Sequence, residues 1–250
     1  MEHALEEDNH WWFASRTRAL NALMEELLPT RSDLHLLDVG CGAGNMMHHL
    51  SRYGRVKGLE IDPRPVKKAR ERGYEVDLFD VTQPMPFADG SFDAVTALDV
   101  IEHNEDDLAI LRDSYRVLKP GGHIVISVPA FMFLWTHNDE INAHVRRYTA
   151  RELRQKLVDS GYTVQRLTYN NFFIFPLAAG LLLLRRSTNR KPELASHHLR
   201  ADEYQVEMEP TSPPVNTILT LVGKLEAGLI RSFNLPVGTS LLAVAQKPLA

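Results

Sequence analysis

The chain has one cysteine, Cys41, in 250 residues, so no internal disulfide can form and the composition expects a reducing compartment, the cytoplasm. It has no long basic tract, and its formal net charge is −4. Clustered Lys and Arg are what neutralise phosphates, so no nucleic-acid partner is expected. The acidic start Met1-Glu2-His3-Ala4-Leu5-Glu6-Glu7-Asp8 lacks the basic and apolar segments of a secretory signal. The longest apolar stretch, 172–184, is shorter than the roughly 20 residues a membrane span needs, and Pro176 and Gly180 read as breaks in it. There are no internal repeats. What remains is an ordinary globular balance of 44% hydrophobic and 24% charged residues, enough to bury a core.

Against that background one stretch stands out, Leu36-Leu37-Asp38-Val39-Gly40-Cys41-Gly42-Ala43-Gly44-Asn45. The apolar run reads as a buried parallel strand, and the glycines after it let bare backbone approach a ligand. Their spacing is GxGxG and not the GxGxxG of dinucleotide-binding folds.

Residues 9–28 carry Leu20, Leu23, Met24, Leu27 and Leu28 at amphipathic-helix spacing, stopped before Pro29. Trp11, Trp12 and Phe13 cannot all face one side of this helix. It therefore packs on the body or closes over a ligand. From residue 34 strands and helices alternate: strands at 34–39, 55–61, 75–78, 92–98 and 123–128, and helices after Gly44, over 63–72, and over 105–118 up to Pro120-Gly121-Gly122. Alternation of this kind implies right-handed βαβ units and a mostly parallel sheet covered on both faces. A loop over 129–148 leads to a helix at 150–160, a sixth strand at 163–169 and a last strand at 240–246. If the last two pair, the residues between them are an insertion. It holds an apolar helix at 172–184, a polar linker over 185–214 and an amphipathic helix through Ile218, Leu221, Val222, Leu225, Leu229 and Ile230.

Six stretches in order resemble a class I S-adenosylmethionine-dependent methyltransferase, with ubiquinone/menaquinone-type and natural-product enzymes the most similar. They are residues 37–44, Gly58-Leu59-Glu60-Ile61-Asp62, Phe79-Asp80-Val81, residues 87–95, Asp99-Val100-Ile101-Glu102-His103 and residues 118–122. The resemblance implies an α/β fold with a Rossmann-like seven-stranded, mostly parallel sheet. It covers about residues 34–170 and the last strand, and together with the patterns on either side it divides the chain into an N-terminal helical lid (1–33), an S-adenosylmethionine-binding domain (34–170), an apolar helical insertion with a polar linker (171–236) and a last strand completing the sheet (237–250).

The same resemblance assigns the cofactor, S-adenosyl-L-methionine, to Asp38, Gly40, Gly42, Gly44, Glu60, Ile61, Asp80, Val81 and Leu98. Asp38 accepts from its ammonium, Glu60 from the ribose hydroxyls and Asp80 from the adenine amino group, while Val81 gives a backbone contact and Ile61 and Leu98 are apolar walls. Read without the resemblance, Asp38 or Asp80 is a turn acid and Asp62 caps the helix starting at Pro63.

Methyl transfer needs a nucleophile held in line and, where it carries a proton, a base. His103 and His144 are the catalytic candidates, His103 standing at the opening of a helix. Asp99, Arg147, Tyr148 and Trp12 are the substrate candidates. Arg147 or Arg146 could instead pair with Asp139 or Glu140 in a solvated loop. No metal site is expected, because His197-His198 lacks a metal-binding spacing. The expected acceptor is a small molecule offering O, N or C, lipid-like or a natural product. Residues 172–235 would meet the enzyme body, a membrane surface or a second copy of the chain. Two other readings share parts of the pattern: a nicotinamide-dependent oxidoreductase, and a non-catalytic S-adenosylmethionine-binding module.

Overall fold

The structure, a computed structural model, describes residues 6–27, 33–187 and 211–249. His197, His198 and most of the polar linker lie outside the described residues. A helix α1 (Trp11–Leu27) precedes β1 (Leu34–Val39), α2 (Asn45–Leu50), β2 (Gly54–Glu60), α3 (Pro63–Glu71), β3 (Glu75–Leu78) and β4 (Phe92–Leu98). Then come α4 (Asp107–Val117), β5 (Leu118–Pro129), α5 (His137–Ile141), α6 (Ala150–Asp159), β6 (Thr163–Asn170), α7 (Phe175–Ser187), α8 (Pro213–Ser232) and β7 (Ser240–Gln246). The seven strands form one sheet in the order β3-β2-β1-β4-β5-β7-β6, with β7 antiparallel to both neighbours and the other pairings parallel.

Sequence and position agree in the middle of the sheet. β1 is buried except at its ends' polar neighbour His35, and β7 is buried at its five central residues because it lies between β5 and β6. Runs buried on both faces carry no polar alternation. The order also places the topological switch between β1 and β4, where ligands bind outside the carboxyl ends of the strands in open α/β sheets.

β6 and β7 are sheet neighbours although residues 171–239 separate them in the sequence. α8 is the main helical neighbour of α1, and a Cβ on Gly223 would stand 1.9 Å from Ser15 Oγ, so only glycine permits this approach. The Trp11 amide donates to Asn216 Oδ1 (2.9 Å), Asn216 Nδ2 donates to the Asn9 carbonyl (2.9 Å), and Arg231 pairs with Glu25 (2.8 Å). On α8 the buried Glu226 accepts from the amides of Asn171 and Phe173, fixing the turn that leaves β6.

Three boundaries differ from the sequence reading. Pro120-Gly121-Gly122 lies inside β5 rather than ending a helix: Gly121 takes φ +79° and its amide donates to the Lys247 carbonyl (2.8 Å), so the strand kinks and continues. α7 runs through Pro176 and Gly180, the proline standing in the first turn, where its missing N–H leaves nothing unpaired. α8 begins at Pro213-Pro214, for the same reason. No described helix is long and apolar enough to cross a membrane.

Candidate active site

At the end of β1 the chain turns back on itself. The amides of Gly40 and Cys41 both donate to the Leu59 carbonyl at the end of β2 (2.8 and 3.0 Å), which commits the loop to the mouth between the two strands. Gly40 (φ +66°) has Val100 against it: a Cβ there would stand 2.5 Å from Val100 Cγ2. Glu60 fastens the loop from the other side. Its Oε2 accepts from the Gly42 amide (2.9 Å) and its Oε1 from the amides of Ile61 and Asp62 (2.8 and 3.0 Å). A carboxylate has about four acceptor sites, so Glu60 keeps capacity for a ligand.

Asp38 is only 2% exposed. Its Oδ1 accepts from the Thr96 hydroxyl (2.6 Å), whereas the buried Oδ2 has no partner. Burial pushes its carboxyl up to about 7, against the hydrogen bond from Thr96 and the charge of Arg16, with Glu60 adding to the rise. A buried carboxylate oxygen without a donor costs free energy unless a cation meets it. The cleft that it faces, about 120 Å³, is lined by Gly40, Gly42 and Leu98 of the body, Asn45 of α2, and Phe13 and Arg16 of α1. Both amide atoms of Asn45 are also unpartnered. This enclosed part suits an amino-acid group carrying both charges.

Beyond it Ile61 is 62% exposed, and Asp80 lies on the open surface. Asp80 accepts from the Thr82 amide (2.9 Å) and hydroxyl (2.7 Å), which lowers its pKa and makes it a turn acid in this state. Val81 packs against the core, and Asp62 caps α3 by accepting from the Arg64 amide (2.8 Å).

Past β4 lies a second cluster. Asp99 takes φ +56°, a conformation Asp tolerates better than most residues, and its carboxylate accepts from Ser127 (2.8 Å) and pairs with Arg16. Arg16 also stacks over Trp12, 4.8 Å from its centroid, so Trp12 reaches this side through the arginine. Glu102, in the single 3-10 turn Ile101–His103, is fully buried with both carboxylate oxygens unpartnered. Burial and then the charge of Asp99 hold its carboxyl well above the usual range.

His103 ends that turn, and α4 begins only at Asp107, so His103 does not open a helix. Its ring stands edge to face with His144, centroids 4.7 Å apart, and burial followed by the neighbouring imidazole lowers its pKa. His144 Nδ1 is 2.9 Å from Asp139 Oδ1. Burial opposes ionisation of Asp139, but hydrogen bonds from His144, Arg147 and Thr136 outweigh it and hold its carboxyl well below the ordinary value.

The structure sorts the remaining candidates. Arg147 gives Nε and Nη2 to Asp139 (2.7 and 2.8 Å) and Nη1 to the Ala130 carbonyl (3.2 Å), so its fork orients Asp139 rather than facing the cleft. Tyr148 is 1% exposed and donates its hydroxyl to the buried Asp107 (2.8 Å), which Arg146 (3.1 Å) and Lys156 (2.8 Å) neutralise. Both side chains are engaged by partners that the loop sequence does not show. Conversely Arg16 and Asn45 line the cleft although no motif in the sequence marks them. Arg16 was the readable one, a cation next to the aromatic run of α1.

Comparison with known proteins follows the same ground. Residues 37–126 match the family described as methyltransferase domain. This segment is similar to methyltransferase domains. Over 136 residues the chain is 37% identical to the ubiquinone biosynthesis O-methyltransferase of Xanthomonas euvesicatoria pv. vesicatoria, covering 48% of this chain and 56% of that protein. It is 30% identical over 135 residues to the 27-O-demethylrifamycin SV methyltransferase of Amycolatopsis mediterranei, covering 50% of each. The matches thus span about half the length of these curated relatives. A Haemonchus contortus phosphoethanolamine N-methyltransferase solved with S-adenosyl-L-methionine shares the fold at TM-score 0.57 and 19% identity, over 92% of this chain and 52% of that one.

The residues present fit S-adenosylmethionine, the cofactor that this similarity implies. Asp38 Oδ2 is a buried acceptor that could meet an ammonium, Arg16 and Asn45 carry donors that could meet a carboxylate, and Glu60 at the end of β2 keeps acceptor capacity for hydroxyl groups.

Proposed function

We propose that the chain transfers a methyl group from S-adenosylmethionine to an O, N or C nucleophile of a small molecule. The observation that carries this reading is the buried, unpartnered Oδ2 of Asp38 inside a glycine loop, with an acid and imidazole cluster one strand away. When bound, the cofactor supplies an electrophilic methyl group, and the protein's task is positioning. Asp38, Arg16 and Glu60 fix the donor end. Asp99, at the junction of the two clusters, separates it from His103 and His144, which face the acceptor side and can take up its proton.

A lipid-like or natural-product acceptor is supported by the apolar residues around this side. Phe131 stacks on Tyr169 and approaches Phe175 of α7, while Leu177, Leu181, Ile218 and Leu225 are exposed along the insertion. That exposed face also supports peripheral contact with a membrane surface, or a second copy of the chain, for an enzyme working in the cytoplasm. Incubating the protein with methyl-labelled S-adenosylmethionine and fractionated small-molecule extracts tests the proposal. Label should pass to a small molecule as S-adenosylhomocysteine accumulates. Binding without turnover in any fraction would leave a non-catalytic module, and binding of NAD in place of S-adenosylmethionine would return the oxidoreductase reading.

A further inference from the structure

We infer that Glu102, His103 and His144 form a binding site for a divalent transition-metal cation on the acceptor side of the methyltransferase cleft. Among the described residues these three each bring one ligand atom, and the atoms lie within 4.8 Å of one another. Two imidazoles and one carboxylate, leaving further positions open, make the donor set of catalytic zinc sites and of related iron and manganese sites. Oxygen-only ligands would favour magnesium or calcium instead.

An independent observation points to a ligand here. Glu102 is fully buried, yet neither carboxylate oxygen meets a donor from the protein. A buried acid of this kind is normally paired, bonded or bound to a metal. The surroundings already provide the supports a metal-bound imidazole requires. His144 Nδ1 is held by Asp139 Oδ1 at 2.9 Å, so Nε2 is the nitrogen left for a metal, and Arg147 with Thr136 fixes Asp139 in turn. A carboxylate behind a ligating histidine sets its tautomer and raises its basicity. The Val145 amide donates to the Glu102 carbonyl (2.8 Å), so the segment bearing His144 is tied to the turn bearing Glu102 and His103.

The geometry is open by a small amount. Ligand atoms at about 2.0–2.1 Å from one tetrahedral zinc stand about 3.3 Å apart. Closing from 4.8 Å requires side-chain shifts of about 1 Å, within rotamer adjustment of His103 and His144. Asp99 adds negative charge beside the site while Arg16 holds its carboxylate. The open positions would take an oxygen of the acceptor and lower its pKa. In that role the two imidazoles are ligands rather than free bases, which deepens the proposed function and rests on it only for the use of the cation, not for its binding.

The test uses the full chain, stripped with chelator and titrated calorimetrically with Zn²⁺ and with Mn²⁺ in the absence of S-adenosylmethionine. One equivalent should bind. Glu102→Gln, which keeps shape and removes charge, and His144→Asn, which can still reach Asp139, should each weaken binding at least tenfold. Both variants should bind S-adenosylmethionine as the parent does, which checks their folding. With Co²⁺ in place of zinc, visible absorption bands should appear in the parent and be lost in both variants. Absence of a stoichiometric site in the parent, or affinity unchanged in both variants, would overturn the inference. Loss of cation binding with methyl transfer intact would confine the cation to a structural role and refute its acceptor role. Absence of methyl transfer with one cation bound would instead count against the proposed function.

Discussion

Burial of Asp38 makes the stability of the cofactor-free protein depend on pH in a direction opposite to that of most carboxylates. In the unfolded chain this group ionises near 3.8, and in the folded chain only at about 7. Between those values the unfolded chain has lost the proton while the folded chain still holds it, so stability falls as pH rises through the window and levels off above it. Each pH unit of the window is worth about 1.4 kcal/mol, which gives a ceiling of about 4 kcal/mol. Asp38→Asn removes this titration while preserving an acceptor for the Thr96 hydroxyl. The assay is urea unfolding followed by circular dichroism at pH 5 and pH 7.5, without cofactor, for parent and variant. The variant should gain on the parent by about 3 kcal/mol between the two pH values, because only the part of the window from pH 5 to about 7 is crossed. Other groups raised by burial, Glu102 among them, titrate in both proteins and cancel in the difference. Saturating S-adenosylmethionine should reverse the order at pH 7.5, because its ammonium meets the ionised parent carboxylate. Parallel pH profiles for the two proteins would refute the reasoning.

Further expectations concern the framework around the cleft. Asp107→Ala should destabilise the protein by about 3–5 kcal/mol in chemical unfolding, since it strips the buried partner from Tyr148, Arg146 and Lys156 together. Gly223→Ala should cost about 1–3 kcal/mol in the same measurement, because the new methyl would overlap Ser15 where α8 crosses α1. Glu226→Ala should cost about 1–3 kcal/mol and increase amide exchange at Asn171 and Phe173, whose N–H groups lose their acceptor.

How much of this was legible in the sequence depended on how local each signal was. β1, the glycine loop and the strand ends at Glu60 and Leu98 follow from apolar runs, turn residues and spacing, all contained in a few neighbouring positions. β7 was readable as a strand, but its place between β5 and β6 was fixed only by pairing across the sheet. Pro120-Gly121-Gly122 reads as a stop because turn residues and a strand kink have the same composition, and the bond from Gly121 to Lys247 decides between them.

The roles of Arg147 and Tyr148 turned on Asp139 and Asp107, one in the same loop and the other far earlier in the chain. A loop sequence rich in donors does not reveal which of them the fold has already used. Arg16 and Asn45 enter the cleft because α1 and α2 meet at the mouth of β1, a contact between elements and not a motif. The Glu102, His103 and His144 cluster shares this property: two members are adjacent, and the third arrives from the loop after β5.

The proposed function requires the loop after β1 and the acids Asp38 and Glu60 to hold S-adenosylmethionine. Calorimetric titration of the parent, Asp38→Ala and Glu60→Ala at pH 7.5 tests it most directly. One cofactor should bind per chain in the parent and at least tenfold more weakly in each variant, from the loss of a charge-assisted contact of about 1.5–3 kcal/mol. Unchanged affinity in both variants would contradict it.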